Sequence, residues 1–85
     1  MSDLKAQFEA AAVAVKGIPA NPGNDVKLQL YALYKQGSEG DAQGERPGFM
    51  DIVGRAKYDA WAKLKGISQE DAMQQYIGLV KSLTG

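Results

Sequence analysis

Apolar side chains recur at three- and four-residue intervals along most of the chain, which is the spacing of the buried face of an amphipathic helix. The first stripe predicts a helix over residues 3–16, with Ser2 as its N-cap and Gly17 at its end. A second stripe predicts a helix over residues 25–37, ending near Gly37. The stripes consist of Leu4, Phe8, Ala11, Ala12 and Val15 in the first helix and Val26, Leu30 and Leu33 in the second.

Two further helices are predicted in the C-terminal half. The third runs from Ile52 to Lys65, with Asp51 as its N-cap and Gly66 as its terminator. The fourth starts at Ser68, which is followed three residues later by an acid, as in a capping box, and continues to the C-terminus. Their predicted buried faces are Ala56, Ala60, Trp61 and Leu64 in the third and Ala72, Met73, Tyr76, Ile77, Val80 and Leu83 in the fourth.

The connections between these helices suggest the topology. Residues 17–24 are rich in Pro, Gly and Asn, which is typical of a turn. The link between the second and third helices, about 14 residues long, can cross the bundle without reversing direction, and Phe49 or Met50 is expected to fold back onto the core. We therefore predict an all-α, four-helix bundle with an up-down-down-up arrangement, in one domain that spans residues 1–85.

The chain of 85 residues contains no histidine and no cysteine. The missing cysteines exclude disulfides, thiolate metal sites and a cysteine nucleophile, and the missing histidines exclude the Ser-His-Asp triad and the usual general base. No Asp/Asn-rich calcium loop is present. We expect a binding protein without catalytic residues, metal or cofactor.

The charge balance and the hydropathy narrow the class of partner further. Ten basic and ten acidic residues give no net charge, whereas nucleic-acid-binding proteins usually carry a basic excess. No apolar run approaches the ~20 residues of a membrane span, and the N-terminal residues lack a signal-peptide pattern. We therefore expect a cytoplasmic protein that binds no nucleic acid.

One face of the second helix carries more aromatic and basic residues than solubility requires. Lys27, Tyr31, Tyr34 and Lys35 share this face, with Leu28 at its edge, and they lie away from the apolar stripe. The tyrosines could pack at the edge of the core while the lysines face solvent. Alternatively, the rings could stack on a flat ligand while the ammonium groups meet an anion, an arrangement that suits a nucleotide with a phosphate.

Other polar residues are open to more than one interpretation. Lys57 is either an exposed helix lysine or a ligand contact, and Tyr76 is either an aromatic at the core edge or part of a site. The glycine-rich residues 37–41 lack the Lys-Ser/Thr ending of a phosphate loop. Capping and solvation explain the acids of the third and fourth helices better than acid–base catalysis does.

Several motifs together resemble the acyl-CoA-binding protein family. The most specific are Tyr-x-x-Tyr-Lys-Gln at residues 31–36 and Lys-Tyr-Asp-Ala-Trp at residues 57–61. Further matches are Gly-Asp at 40–41, Arg-Pro-Gly at 46–48, Leu-Lys-Gly at 64–66 and Glu-Asp-Ala-Met at 70–73. The resemblance covers nearly the whole chain and implies a four-helix, up-down-down-up bundle that binds long-chain acyl-CoA thioesters non-covalently.

The resemblance also implies roles for individual residues. Tyr31, Lys35 and Lys57 would contact the 3′-phosphate of CoA. Tyr34 would stack on the adenine, and Tyr76 would close the other side of the nucleotide region.

Three more positions follow from the same resemblance. Lys16 would lie at the ligand, and Ala12 and Leu28 would line the groove for the acyl chain. The chain departs from the common family pattern at Lys27, Val53 and Tyr58. Of these, Val53 stands where many members have Lys, which puts one peripheral phosphate contact in doubt.

The predicted function is sequestration and transport of medium- to long-chain fatty acyl-CoA by a monomer, with transient contacts to acyl-CoA-using enzymes or membranes. Two other classes stay open. A helical protein-interaction module would use the same face to bind a partner helix. A thioester hydrolase would have to rely on Ser38, Ser68 or carboxylates.

Overall fold

The computed structural model describes residues 3–17 and 23–84, which form four α-helices. The predicted cap Ser2 and most of the predicted turn at 17–24 lie outside the described residues. The helices are α1 (Asp3–Ala14), followed by a short 3₁₀ turn (Val15–Gly17), α2 (Asn24–Glu39), α3 (Ile52–Ala62) and α4 (Gln69–Thr84). The prediction of an all-α fold with four helices is confirmed.

The predicted caps of the last two helices are present. The backbone N–H of Gly54 donates to the Asp51 carboxylate at 3.0 Å, and the N–H of Asp71 donates to the Ser68 hydroxyl at 3.0 Å. Each bond satisfies a backbone donor that would otherwise lack a partner in the first helical turn. Local sequence therefore fixes where α3 and α4 begin.

Gly37 lies near the end of α2, as predicted, but the helix continues to Glu39 and ends at Gly40, whose φ is +85°. Gly37 lies inside the helix and is buried. A Cβ atom at this position would lie 3.0 Å from Cζ of Phe8 and 3.1 Å from Cγ of Met73. The glycine thus permits close packing of α1 and α4 against α2, while Gly40 adopts the positive φ, accessible to glycine, at which the helix ends.

The predicted end of α3 at Lys65 is wrong. The α-helix ends at Ala62, and the chain tightens into a turn in which Leu64 N–H donates to Trp61 and Lys65 N–H donates to Ala62. Such bonds between residues three apart are common where a helix ends. Gly66, predicted as the terminator, follows this turn with a φ of +95°.

Contacts between α2 and α3 show that these helices run in the same direction. Tyr31 lies beside Lys57, and Lys35, one turn later in α2, lies beside Trp61, one turn later in α3. Later residues of α2 therefore lie beside later residues of α3, so the two helices are parallel. The loop that joins them crosses from one end of the bundle to the other.

Helix α4 runs antiparallel to α2. The ring of Tyr34 lies 5.9 Å from the ring of Tyr76, whereas Gly37, later in α2, approaches Met73, earlier in α4. Advancing along one helix thus corresponds to moving back along the other.

Helix α1 runs parallel to α4. Phe8 contacts Tyr76, and Ala14, later in α1, shares a shallow groove with Lys81, later in α4. The arrangement is therefore up-down-down-up, as predicted.

The core lies between α1, α2 and α4. Its buried cluster consists of Phe8, Ala11, Leu33, Ala72, Tyr76, Ile77 and Val80. Trp61 of α3 is 7% exposed and packs against α2, which confirms it as a buried residue. Leu30 is only partly buried, although it belongs to the predicted stripe of α2, and that helix buries Ala32 and Gln36 as well.

The long loop is fastened to the outer side of α3 by polar contacts. Arg46 donates two hydrogen bonds to Asp59, at 2.8 and 2.6 Å, and the Tyr58 hydroxyl donates to the Gly44 carbonyl at 3.0 Å. The expected folding of Phe49 or Met50 onto the core is wrong, since these side chains are 76% and 83% exposed. The anchors hold the loop on α3 and leave its last turn pointing into solvent.

In the part of the chain described by the structure, none of the helices is both long and apolar enough to cross a membrane.

Candidate ligand-binding site

A cavity of about 520 Å³ opens between α1, α2 and α4. We call it the tyrosine cavity. Five of the eight predicted ligand contacts line it: Ala12, Lys16, Tyr31, Tyr34 and Tyr76. The fold thus brings together residues from three helices that are up to 64 positions apart in sequence.

Three aromatic rings form one wall of this region. Phe8 and Tyr34 are stacked, with centroids 5.3 Å apart and planes inclined by 21°. Tyr76 meets the edge of Phe8 at 5.2 Å. Because Phe8 supports the Tyr34 ring while Tyr34 stays 41% exposed, Tyr34 offers a fixed aromatic surface on which a flat ligand can stack.

Tyr76 is a core residue that also borders a cavity. It is buried in the core cluster, and it also lines the tyrosine cavity. Burial raises the pKa of the Tyr76 phenol, and nearby Tyr34 raises it further. The hydroxyl therefore stays protonated at neutral pH and can donate a hydrogen bond.

Two lysines lie on aromatic rings along the contact between α2 and α3. Nζ of Lys57 is 5.5 Å from the ring centroid of Tyr31, and Nζ of Lys35 is 4.9 Å from that of Trp61. Both contacts lie within the distance at which a cation is attracted to an aromatic face. The ring contacts hold two positive charges in neighbouring turns of the same helix pair.

The environments of these two lysines differ. Lys35 donates a hydrogen bond to the carboxylate of Glu39 and forms an ion pair with it. This hydrogen bond raises the pKa of Lys35, against a smaller opposing effect of desolvation. Lys57 forms no ion pair with any of the residues that the structure describes.

A second cavity, of about 320 Å³, lies between α2 and α3, and we call it the α2–α3 groove. Its lining consists of Asn24, Lys27, Leu28, Ile52, Val53, Ala56 and Lys57. Lys57 lines this groove and also touches Tyr31, which lines the tyrosine cavity. The Lys57–Tyr31 contact therefore links one lining residue of each cavity.

The two residues predicted to line the acyl groove lie in different places. Ala12 lines the tyrosine cavity, whereas Leu28 lines the α2–α3 groove and a further cavity of about 600 Å³. Lys35 is outside the linings of these cavities, at the Trp61 ring. Helical periodicity places each residue on a face, but it does not determine which faces enclose the same space.

Sequence reasoning missed several lining residues. Glu9 and Val13 line the tyrosine cavity beside Ala12 and Lys16. The spacing of these four residues, 9, 12, 13 and 16, is that of one helix face, so a search for neighbours of Lys16 on α1 would have found them. Val53, identified as a departure from the family pattern, lines the α2–α3 groove.

The glycine-rich residues 37–41, which span the end of α2, have a structural role. The Asp41 carboxylate accepts hydrogen bonds from Gln36 and from the backbone N–H of Gly66, both at 2.9 Å. These bonds lower the pKa of Asp41, and the Gly66 bond has the larger effect. Gln36 also donates to the carbonyl of Ile67 at 2.8 Å, so the cluster ties the end of α2 to the start of α4. Among the described residues, no group of three or more potential ligands could hold a metal ion.

Known proteins are similar in sequence to this chain over most of its length. The sequence profile of the family described as "Acyl CoA binding protein" matches residues 5–80. The chain is 51% identical over 77 residues to an acyl-CoA-binding protein homolog of Drosophila melanogaster, covering 91% of this chain and 90% of that protein. It is 50% identical over 76 residues to the acyl-CoA-binding protein of Saccharomyces cerevisiae, covering 89% and 87%.

A solved structure gives the same result for the fold. The crystal structure of Oryza sativa acyl-CoA-binding protein 2 superposes with a TM-score of 0.91 at 42% sequence identity. The superposition covers 95% of this chain and 88% of that one.

Proposed function

The chain belongs to the acyl-CoA-binding protein family, and we propose that it binds medium- to long-chain fatty acyl-CoA non-covalently and carries it within the cytoplasm. The observation that carries this proposal is the tyrosine cavity, in which an exposed aromatic surface, a phenol and Lys16 converge beside the lysines of α2 and α3. We propose that residues 1–85 act as one domain and as a monomer.

The 3′-phosphate of the ligand is proposed to bind at the α2–α3 contact. Lys35 and Lys57 supply charge-assisted donors from two helices, and the Tyr31 hydroxyl supplies a directional one. The adenine is proposed to stack on Tyr34, with Lys16 and Tyr76 on the other sides of the same cavity. Stacking of a base on an aromatic side chain contributes about 1–3 kcal/mol.

The acyl chain is proposed to contact both Ala12 and Leu28. Because these residues lie in separate cavities, we propose that the chain passes along the Lys57–Tyr31 contact, which has one residue in the lining of each cavity. The stem of Lys57 and the ring of Tyr31 are themselves apolar and can cover such a chain. Each buried methylene contributes about 0.8 kcal/mol, so the chain dominates the affinity while the head group determines orientation and specificity.

Binding without catalysis fits the chemistry of the site. A hydrolase needs a nucleophile paired with a base, or a polarised water. The two serine candidates have local structural contacts: Ser38 donates to the Lys35 carbonyl, and Ser68 caps α4. The proposed function is therefore to hold the thioester intact.

We further propose that the last turn of the long loop and the start of α3 make the transient membrane contact. Four large apolar side chains are exposed there: Phe49, Met50, Ile52 and Val53. Ile52 and Val53 also line the α2–α3 groove beside Lys27 and Lys57. Apolar side chains next to lysines suit a bilayer with anionic headgroups, and this position would let an acyl chain pass directly between bilayer and groove.

Titration calorimetry tests the function directly. CoA alone, octanoyl-CoA and palmitoyl-CoA should all bind with one-to-one stoichiometry, and palmitoyl-CoA should bind far more tightly. A thiol reagent added to the palmitoyl-CoA complex should detect no release of free CoA. Absence of binding would support the protein-interaction module, and thiol release would support the hydrolase.

The membrane contact is tested separately by sedimentation with vesicles. Vesicles of phosphatidylcholine with phosphatidylserine should retain the protein weakly, and Phe49→Ser/Met50→Ser should abolish this retention without changing calorimetric affinity for palmitoyl-CoA. Equal sedimentation of the double variant would contradict the proposed surface and leave contact with acyl-CoA-using enzymes as the alternative partner.

A further inference from the structure

Glu39 holds one of the two lysines that the proposed phosphate site requires. The Glu39 carboxylate lies one turn after Lys35 on α2. It accepts a hydrogen bond from the Lys35 ammonium group and forms an ion pair with it. The side chains are 23% exposed at Lys35 and 53% exposed at Glu39, so the pair is at the surface and open to exchange. Lys57 has no acidic partner among the described residues.

A carboxylate at position 39 is unfavourable for the stability of α2. Glu39 is the last residue of α2, where the partial charge of the helix end is negative and an acid is unfavourable. The order of the pair, with the lysine N-terminal to the acid, is also the weaker of the two arrangements at this spacing. An exposed pair of this kind contributes little to folding. The contact with Lys35 is therefore the main consequence of having an acid there.

We propose that Glu39 is an affinity- and specificity-determining residue that competes with the ligand's 3′-phosphate for Lys35. The inference rests on the function proposed above and concerns how this chain sets the strength of its phosphate contact. A carboxylate and a phosphate are both acceptors for the same ammonium donors. A bound phosphate must displace the carboxylate or share Lys35 with it, and in either case two anions are brought together.

The competition is between anions and does not involve loss of a proton. The hydrogen bond with Glu39 raises the pKa of Lys35, so the ammonium group stays charged throughout the neutral range. The Trp61 ring lies 4.9 Å from the ammonium and attracts it toward α3 independently of Glu39. Release of the carboxylate therefore leaves a charged lysine already placed beside the proposed phosphate site.

The test compares Glu39→Gln with Glu45→Gln, a matched control that removes the same charge from an exposed loop residue with no ion pair among the described residues. Calorimetry at low salt with palmitoyl-CoA should show that Glu39→Gln tightens binding by about three- to tenfold, because charge repulsion at a surface site is modest. Glu45→Gln should change the affinity less than about twofold, since distant exposed charges are screened.

Two further measurements test whether Glu39 acts through the 3′-phosphate and through Lys35. The palmitoyl thioester of 3′-dephospho-CoA should bind wild type and Glu39→Gln equally. In a Lys35→Ala background, Glu39→Gln should no longer tighten the binding of palmitoyl-CoA. Thermal unfolding should give both glutamine variants a Tm equal to or above that of wild type.

The outcomes separate this inference from the proposed function. If wild type binds palmitoyl-CoA but Glu39→Gln leaves the affinity unchanged, the competition is refuted and the function stands. The competition is refuted in the same way if the dephospho ligand gains as much affinity as palmitoyl-CoA. If wild type binds no acyl-CoA at all, both proposals fail.

Discussion

Nζ of Lys57 lies 5.5 Å from the ring centroid of Tyr31, and the pair takes one residue from the lining of each of two neighbouring cavities. Tyr31 lines the tyrosine cavity, and Lys57 lines the α2–α3 groove. The parallel register of α2 and α3 places them side by side, with Lys35 and Trp61 one turn further along. In the proposed complex, this pair is where phosphate recognition and the path of the acyl chain meet.

The lysines are expected to contribute unequally to phosphate binding. Lys57→Ala should weaken palmitoyl-CoA binding by about 1.5–3 kcal/mol, because it removes a charge-assisted donor. Lys35→Ala should fall at the lower end of that range, since its ammonium already has an acidic partner in Glu39. Calorimetry measures both, with Lys5→Ala on the exposed start of α1 as the control.

Palmitoyl-CoA without its 3′-phosphate tests whether the two lysines act on that phosphate. Both variants should bind the dephospho ligand almost as wild type does. If the ratio of the affinities for the two ligands is the same in wild type and in both variants, the assignment of Lys35 and Lys57 to the phosphate is wrong.

We expect Trp61 to stabilise the fold and not to stack on the ligand. It is 7% exposed, and its indole N–H donates to the Gly40 carbonyl at 2.8 Å. Trp61→Ala should lower the free energy of unfolding by about 3–5 kcal/mol, a large share of the stability of a small domain. Urea denaturation followed by circular dichroism measures the loss.

Trp61→Phe provides the matched comparison, because it keeps an aromatic ring and removes the donor. Its cost should be smaller than that of alanine and include about 1–3 kcal/mol for the unsatisfied Gly40 carbonyl. An alanine variant that unfolds at the wild-type urea concentration but loses ligand affinity would place Trp61 in the binding site instead.

Acid is expected to weaken the junction between α2 and α4 through Asp41. The hydrogen bonds from Gly66 and Gln36 lower the pKa of Asp41 in the folded state. A group with a lowered folded pKa stabilises the fold above its unfolded pKa, about 3.9, and this contribution is lost as pH falls through the folded value. Asp41→Asn should therefore lower Tm at pH 6 and have a smaller effect at pH 2.

Asp59 contributes to the same acid sensitivity, since the hydrogen bond from Arg46 lowers the pKa of Asp59. The Asp41→Asn experiment isolates one group by comparing the pH dependence of Tm in wild type and variant between pH 2 and 6. Parallel curves over that range would show that Asp41 does not titrate differently in the folded and unfolded states.

The sequence predicts the helices well because their signals are local. Caps at Asp51 and Ser68 depend on one side chain and a backbone N–H three residues later. Local pattern does not explain Gly37, which lies inside the last turn of α2 rather than ending the helix. Its lack of a side chain serves the approach of Phe8 from another helix, and such a long-range contact has no local pattern.

The site was harder to predict than the helices. The family resemblance identified residues on three helices that do line one cavity, but it did not separate the surroundings of Ala12 from those of Leu28. The exposed positions of Phe49 and Met50 depend on where Arg46 and Tyr58 fasten the loop. Polar contacts between distant segments decide such details, and hydrophobic periodicity carries no information about them.

Affinity is expected to rise with acyl chain length if the chain is buried as proposed. Each added pair of methylenes should tighten binding roughly tenfold, at about 0.8 kcal/mol per methylene, until the groove is full. The rise should then level off, because further carbons would extend into water. Free fatty acids should bind far more weakly, since they lack the nucleotide. Calorimetry from octanoyl- to palmitoyl-CoA measures the slope.

Leu28→Ala tests the position of the chain in the α2–α3 groove. It removes apolar surface next to Ala56 and leaves the lysines and tyrosines of the proposed head-group site in place. The variant should bind CoA alone like wild type but gain less affinity with each added pair of carbons. Leu79→Ala, in α4 and outside the linings of both cavities, is the control for general loss of packing. A flat response of wild type from octanoyl- to palmitoyl-CoA would mean that the chain stays in solvent, and the carrier mechanism would fail even if CoA itself bound.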